Sequence, residues 1–266
     1  QRPAGNAMKK LLTTLALTFS INVSAQSVPS LAEIPLTMSA SQSGALTNAI
    51  YLEVETRQVA SLVKHLSNYS GVTTEQLSNN TVAVGLAHQP TFTGAIQSKY
   101  AQPSFVIDTN EPATRAFIEG FTKTRTNTDE LEAITAYVSE YINEPTYIHG
   151  FNLASTVATQ RSGDCTEFAT LTTALARGLG MPARLTLGTV ITAYADSADA
   201  FGHAWTEVWY KGKWQIIDAA LYGADGQQFY YLPTGTLDNE GPGFAMSLVM
   251  ASSLFPNRVV NVQNLQ

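Results

Sequence analysis

"RSGDCTEFATLTTALARGLGMPAR", from Arg161 to Arg184, holds Cys165, the single cysteine of a 266-residue chain. Asp164 is a residue type that caps helix N-termini, and Glu167 three residues later completes a D-x-x-E capping box. Cys165 then takes the first helical position. Phe168, Leu171 and Leu175 form one apolar stripe, and Gly178, Gly180 and Pro182 end the helix. A thiol at that position feels the positive end of the helix dipole, which favours thiolate. Cys165 is therefore expected to be an activated thiol, with a buried packing cysteine as the bland alternative.

After Pro182 the pattern changes to strands. "ARLTLGTVITA" (Ala183–Ala193) alternates, with Leu185, Leu187 and Ile191 on one face. "GHAWTEVWY" (Gly202–Tyr210) and "KWQIIDAA" (Lys213–Ala220) flank Lys211-Gly212, a two-residue hairpin turn. Such a loop pairs Tyr210 with Lys213 and hence Trp205 with Asp218. Opposed residues share a face, and His203 lies two residues from Trp205 on that face. His203 and Asp218 become diagonal neighbours. A three-residue loop would separate them.

These residues suit nucleophilic acyl chemistry. A cysteine nucleophile needs a base, and the base needs an orienting group. Cys165 would attack a carbonyl, His203 would move the proton, and Asp218 would hold the imidazole tautomer. The Cys165 N–H is one oxyanion donor; Gln160 and Tyr147 are candidates for the second. Trp205 and Asp164 are candidates for a substrate groove, against packing and capping respectively. Trp209 and Trp214 carry the same ambiguity. His149 is a rival base, while His65 and His88 sit in a less informative region.

The three separated motifs G-D-C-x-E-x-A (from Gly163), G-H-A-W (from Gly202) and W-x-x-x-D (Trp214 to Asp218) resemble the transglutaminase-like core of bacterial exported proteins. The resemblance covers roughly residues 125 to 220. It implies an α+β, papain-like fold in which the nucleophile helix packs on an antiparallel sheet. It also implies a Cys165, His203, Asp218 triad acting on peptide or isopeptide carbonyls through a thioacyl-enzyme. Hydrolysis is slightly favoured over transfer to an amine, and a non-catalytic scaffold of the same fold is the alternative. Ala219 departs from the pattern, since many members have proline there.

The remaining chain divides by pattern. Met8-Lys9-Lys10, the apolar Leu11–Val23 and the small residues of "VSA" read as a secretory signal cleaved after Ala25, with 1–7 as upstream residues. An uncleaved membrane anchor is the other reading. Residues 26–110 are expected to be an N-terminal accessory region, 111–230 the catalytic core, and 231–266 a C-terminal extension packed on it. Within the first, "NTVAVGLA" (Asn80–Ala87) and "SFVIDT" (Ser104–Thr109) read as strands. Glu111–Thr124 and Asn127–Ile142 read as core-facing helices, the second capped by Asn127 with Glu130.

Composition excludes several classes. Hydrophobic residues make up 44% and charged ones 14%, so a packed core is available. Loss of Arg2, Lys9 and Lys10 with the signal takes the net charge from −6 to −9, and no basic face is visible for nucleic acid. One cysteine and four scattered histidines offer no zinc spacing, and no EF-hand, phosphate loop or dinucleotide fingerprint occurs. No metal or other cofactor is expected, and the expected partner is a protein or peptide substrate. No membrane span is expected after signal cleavage.

Overall fold

The computed structural model describes residues 32–124, 129–146, 150–224 and 227–266. The signal segment, Asn127, Tyr147 and His149 lie outside the described residues. In chain order, β1 (Ala32–Ile34), β2 (Leu36–Met38) and β3 (Ala49–Glu55) lead into α1 (Val59–Leu66) and the hairpin of β4 (Tyr69–Ser78) and β5 (Thr81–Phe92). Then come α2 (Pro112–Thr124), α3 (Glu130–Tyr141), β6 (Glu144–Pro145), α4 (Ala154–Gln160) and β7 (Ser162–Gly163). Next are α5 (Cys165–Gly178), β8 (Ala183–Ala193), β9 (Ala198–Tyr210), β10 (Lys213–Ile217) and β11 (Gln228–Thr236). The described chain closes with α6 (Phe244–Ser252) and β12 (Arg258–Asn264). The class is α+β.

One sheet runs β1-β9-β8-β11, with β10 also on β9; the other runs β2-β12-β3-β5-β4. Every residue of α5 from Cys165 to Arg177 is buried. The sheet covers one side of this helix. Leu171, Leu175 and Ala176 share a core with Val208 of β9 and with Phe117, Phe121, Ile134 and Val157 of α2, α3 and α4. Each enclosed leucine contributes roughly 1.5–3 kcal/mol over an exposed one. Thr172 and Thr173 are buried without penalty because the helix's own Phe168 and Ala169 carbonyls accept from them. Thr173 Oγ1 donates to the Ala169 carbonyl at 2.8 Å and meets Thr206 of β9 at 3.1 Å.

The β9–β10 turn follows the expected register: Lys213 pairs with Tyr210 and Ile217 with Thr206. Lys211 (φ 52°) and Gly212 (φ 83°) both take the left-handed backbone that a two-residue hairpin turn requires. Opposite His203 on β8 stands Gly188. A Cβ there would lie 2.2 Å from the Leu232 carbonyl oxygen and 2.5 Å from the Trp205 ring. The first of these is immobile backbone of β11. Gly188→Ala is expected to cost about 1–3 kcal/mol as an overpacked site. A urea midpoint that does not fall would show that the sheet yields freely there.

Three expectations need correction. The division at 110 and 230 does not hold, because β1 pairs with β9 beside the histidine, β11 crosses residue 230, and β12 sits between β2 and β3. One apolar core joins both sheets, from Ile50, Leu52 and Val84 to Ile191, Tyr230 and Leu232. "SFVIDT" is a loop: Ser104 N–H bonds the Ile107 carbonyl, while Val106 is tied to Glu240 and Ala154. The cap of α3 is Asp129, whose side chain accepts from Leu131 N. The acidic turn "DTNEP" likewise has structural work, since Asp108 accepts from Ser155 N at 2.8 Å and Thr114 Oγ1 at 3.2 Å.

Candidate active site

Sequence places α5 through its cap. Asp164 accepts from Thr166 N at 3.0 Å, and Glu167 Oε2 accepts from Asp164 N at 2.9 Å, which closes the capping box. The other oxygen of Glu167 accepts from Asn152 N at 2.9 Å and fastens the preceding loop to the helix start. Burial, then the hydrogen bond and charge of Asp164, push the Glu167 carboxyl up to about 7. Gly163, with φ 155°, leaves room for this side chain; a Cβ would lie 2.3 Å from Glu167 Cβ.

The thiol meets the sheet where the outer edge of β9 is open. β1 covers that edge from Ala200 to Gly202, and β10 covers it from Thr206 to Tyr210. His203, Ala204 and Trp205 fall in the gap. There Ala204 packs in the same buried cluster as Cys165. Gly202, ahead of the histidine, is needed for packing, since a Cβ would lie 2.6 Å from the Phe255 ring.

His203 Nε2 and Asp218 Oδ2 stand 2.8 Å apart, so with a carboxylate as acceptor the ring donates. Asp218 follows the last paired residue of β10, as the hairpin register requires. Its Oδ1 accepts from Ala220 N at 3.1 Å and Leu221 N at 3.3 Å. Tyr231 Oη donates to Oδ2 at 3.0 Å. His203 Nδ1 is buried and has no hydrogen-bond partner among the described residues. The histidine ring is edge-on to Phe201 and stacked on Trp205, with centroids 5.6 and 6.4 Å away.

This centre is enclosed. Cys165 and His203 are 0% exposed, and the Asp218 side chain is 6% exposed. Cys165 packs among Val106, Ile107, Ala154, Leu187 and Ala204, with Phe151 and Leu153 over the same cluster. Burial pushes the thiol well above its ordinary range, and Asp164 pushes the same way against the single Ala204 amide. Burial thus works against the thiolate that the helix start favours. A cleft of about 290 Å³ reaches Asp218 and Tyr231 from the side of Leu221, Tyr222 and Phe229.

The other candidates separate by depth. Trp205 is fully buried beneath His203, so it is a ring support and not a groove wall. Asp164 is a buried cap for the same reason of depth. Gln160 is exposed at the end of α4. Trp209 and Trp214 meet edge to face near the far end of the hairpin, beside a cleft of about 450 Å³. His65 lies on α1 away from the triad, held down to about 4 by burial and then by Arg184. Tyr231 was not a sequence candidate. Its only local signal is a place in the apolar run of β11, which pairs with β8 and not with the hairpin.

Residues 115–219 match the family described as the transglutaminase-like superfamily. That segment is similar to a transglutaminase-like core. Cys165, His203 and Asp218 all fall inside the matched segment. No curated protein matches the chain. Among solved structures it is similar to the periplasmic domain of TgpA from Pseudomonas aeruginosa, at 15% identity and TM-score 0.41, over 73% of this chain and 84% of that one. It is also similar to a candidate cysteine protease from Cytophaga hutchinsonii, at 16% identity and TM-score 0.38, over 71% of this chain and 77% of that one. In this core α4 supplies no group to the triad; it packs behind α5 through Val157 and Ala158.

Proposed function

We propose that the chain is an exported cysteine enzyme that opens peptide or isopeptide carbonyls through a thioacyl intermediate formed on Cys165. The observation that carries the reading is the 2.8 Å bond between His203 Nε2 and Asp218 Oδ2, with Cys165 in the same buried cluster as Ala204, the residue after the histidine. The histidine nitrogen left without a partner, Nδ1, is the base.

Burial disfavours a free thiolate at rest, so in this reading the thiol proton leaves during attack. The proton passes to His203 Nδ1 as the sulfur bonds the carbonyl carbon, and Asp218 stabilises the imidazolium. The Cys165 N–H at the helix start faces the developing oxyanion. The imidazolium then protonates the leaving amine, and the acyl group remains on sulfur. Water, deprotonated by His203, releases the acid and restores the thiol. An amine in place of water gives transfer by the same steps. Side chains over the thiol, Phe151 and Leu153 among them, must yield for a carbonyl to enter. Export rests on the basic and apolar segment from Met8 to Ala25.

The test is alkylation of Cys165 by iodoacetamide at neutral pH, followed by intact mass, with Cys165→Ala as the blank. His203→Ala is expected to slow labelling by roughly 10²-fold, the lower range for a lost general base. Equal rates in wild type and His203→Ala would reject catalysis. That outcome would favour the scaffold reading, for which the complete burial of Cys165 and His203 is the supporting observation. Peptide turnover with and without an added amine then separates hydrolysis from transfer.

A further inference from the structure

We infer that Tyr231 is a positioning residue for the His203–Asp218 pair, acting by sharing the carboxylate oxygen that orients the imidazole. The inference rests on the proposed triad and adds to it a residue outside the matched segment, which ends at 219.

Tyr231 engages both partners of the imidazole. Its hydroxyl donates to Asp218 Oδ2 at 3.0 Å, the same oxygen that His203 Nε2 meets at 2.8 Å. Its ring lies edge-on to Trp205 at 5.1 Å, and Trp205 is the ring stacked on His203. With Ala220 N and Leu221 N on Oδ1, the carboxylate has four donors in four directions. Loss of one leaves a specific oxygen under-donated and the others intact. Burial, then the charge of Asp218, raise the Tyr231 hydroxyl well above its ordinary range, so it stays a donor at every working pH.

Two consequences follow from a shared acceptor. The carboxylate is held in one rotamer, which fixes the ring nitrogen that faces it. Its negative charge is also divided between two donors, so the imidazolium receives less of it than from an unshared carboxylate. Other titratable groups near His203 are few. Cys165 comes from α5 with Asp164 and Glu167 behind it, and Glu207 lies beyond Trp205 and is paired with Arg184 at 3.4 Å. β8 opposes the histidine with Gly188, and β1 sets exposed Glu33 opposite Phe201.

The experiment is ¹⁵N-histidine NMR of the full chain across pH, with the His203 signal assigned by its loss in His203→Ala. In Tyr231→Phe, which keeps the ring, the unshared carboxylate should bind the imidazolium more tightly. The midpoint of the His203 signal is expected to rise by about half to one pH unit, the scale of one charge-assisted hydrogen bond. The acid limb of the Cys165 alkylation rate should move up in parallel. In an Asp218→Asn background the same substitution should shift nothing further. An unmoved midpoint in Tyr231→Phe, with Tyr231→Leu lowering only the melting temperature, would make Tyr231 a packing residue and overturn the inference. Since the NMR midpoint is read without turnover, failure of the catalytic reading shows separately, in the alkylation comparison.

Discussion

Asp218→Asn is expected to lower Cys165-dependent peptide turnover by about 10⁴-fold, with the chain still folded. The argument lies in where each oxygen points. Oδ1 accepts two backbone amides, from Ala220 and Leu221, and Oδ2 faces His203 Nε2 and Tyr231 Oη. An asparagine has one acceptor oxygen and one donor NH₂. The two backbone N–H groups cannot turn away, so the amide oxygen must serve them. The NH₂ then points at His203, where it can donate only if Nε2 has no proton. The imidazole proton moves to Nδ1, and the nitrogen that should receive the thiol proton becomes a donor. Geometry is kept and the tautomer is inverted. Hydrolysis of a casein peptide mixture, followed by mass spectrometry with Cys165→Ala as the blank, reads the effect. A variant within tenfold of wild type would mean that Asp218 does not set the tautomer.

The same triad shows what the sequence made legible. The cap of α5 could be read because Asp164 and Glu167 lie three residues apart and their partners are backbone amides of the same turn. The His203–Asp218 pairing could be read because a two-residue turn transmits register along β9 and β10 without reference to the rest of the chain. Interactions at long sequence separation were not legible. β1 meets β9 about 170 residues downstream, and β12 enters a sheet whose other strands precede residue 93. Neither pairing leaves a periodic mark, so a boundary drawn by composition cut through both. The burial of the thiol was not legible for a related reason. A helix dipole is a property of the helix itself, whereas desolvation depends on Val106, Leu187 and Ala204, which arrive from three other segments. Tyr231 escaped notice because β11 reaches Asp218 across β8 and not along the hairpin.

Depth also decides the second large effect. Glu240→Ala is expected to destabilise the chain by about 3–5 kcal/mol, the cost of leaving one partner of a buried ion pair uncompensated. Arg177 stands in the last turn of α5, where a cation also complements the helix dipole. Its guanidinium is 1% exposed and bonds Glu240 through two oxygens, at 2.7 and 2.8 Å. It also donates to the carbonyls of Ala183 and Gln102. Four segments thus converge on one side chain: the nucleophile helix, the start of β8, the loop before α2 and the loop before α6. Removing Glu240, whose own side chain is 11% exposed, leaves a charge and two N–H vectors without acceptors on an Arg177 side chain that is 1% exposed. The melting temperature should fall by on the order of 10 °C. Arg177→Met with Glu240→Leu removes both charges and fills much of the volume, so the pair is expected to recover most of that loss. A drop below about 1 kcal/mol for Glu240→Ala, the ceiling for an exposed pair, would show that solvent enters the site. If the double variant is instead as unstable as the single one, the carbonyl contacts of Arg177, and not its charge balance, hold the end of the helix.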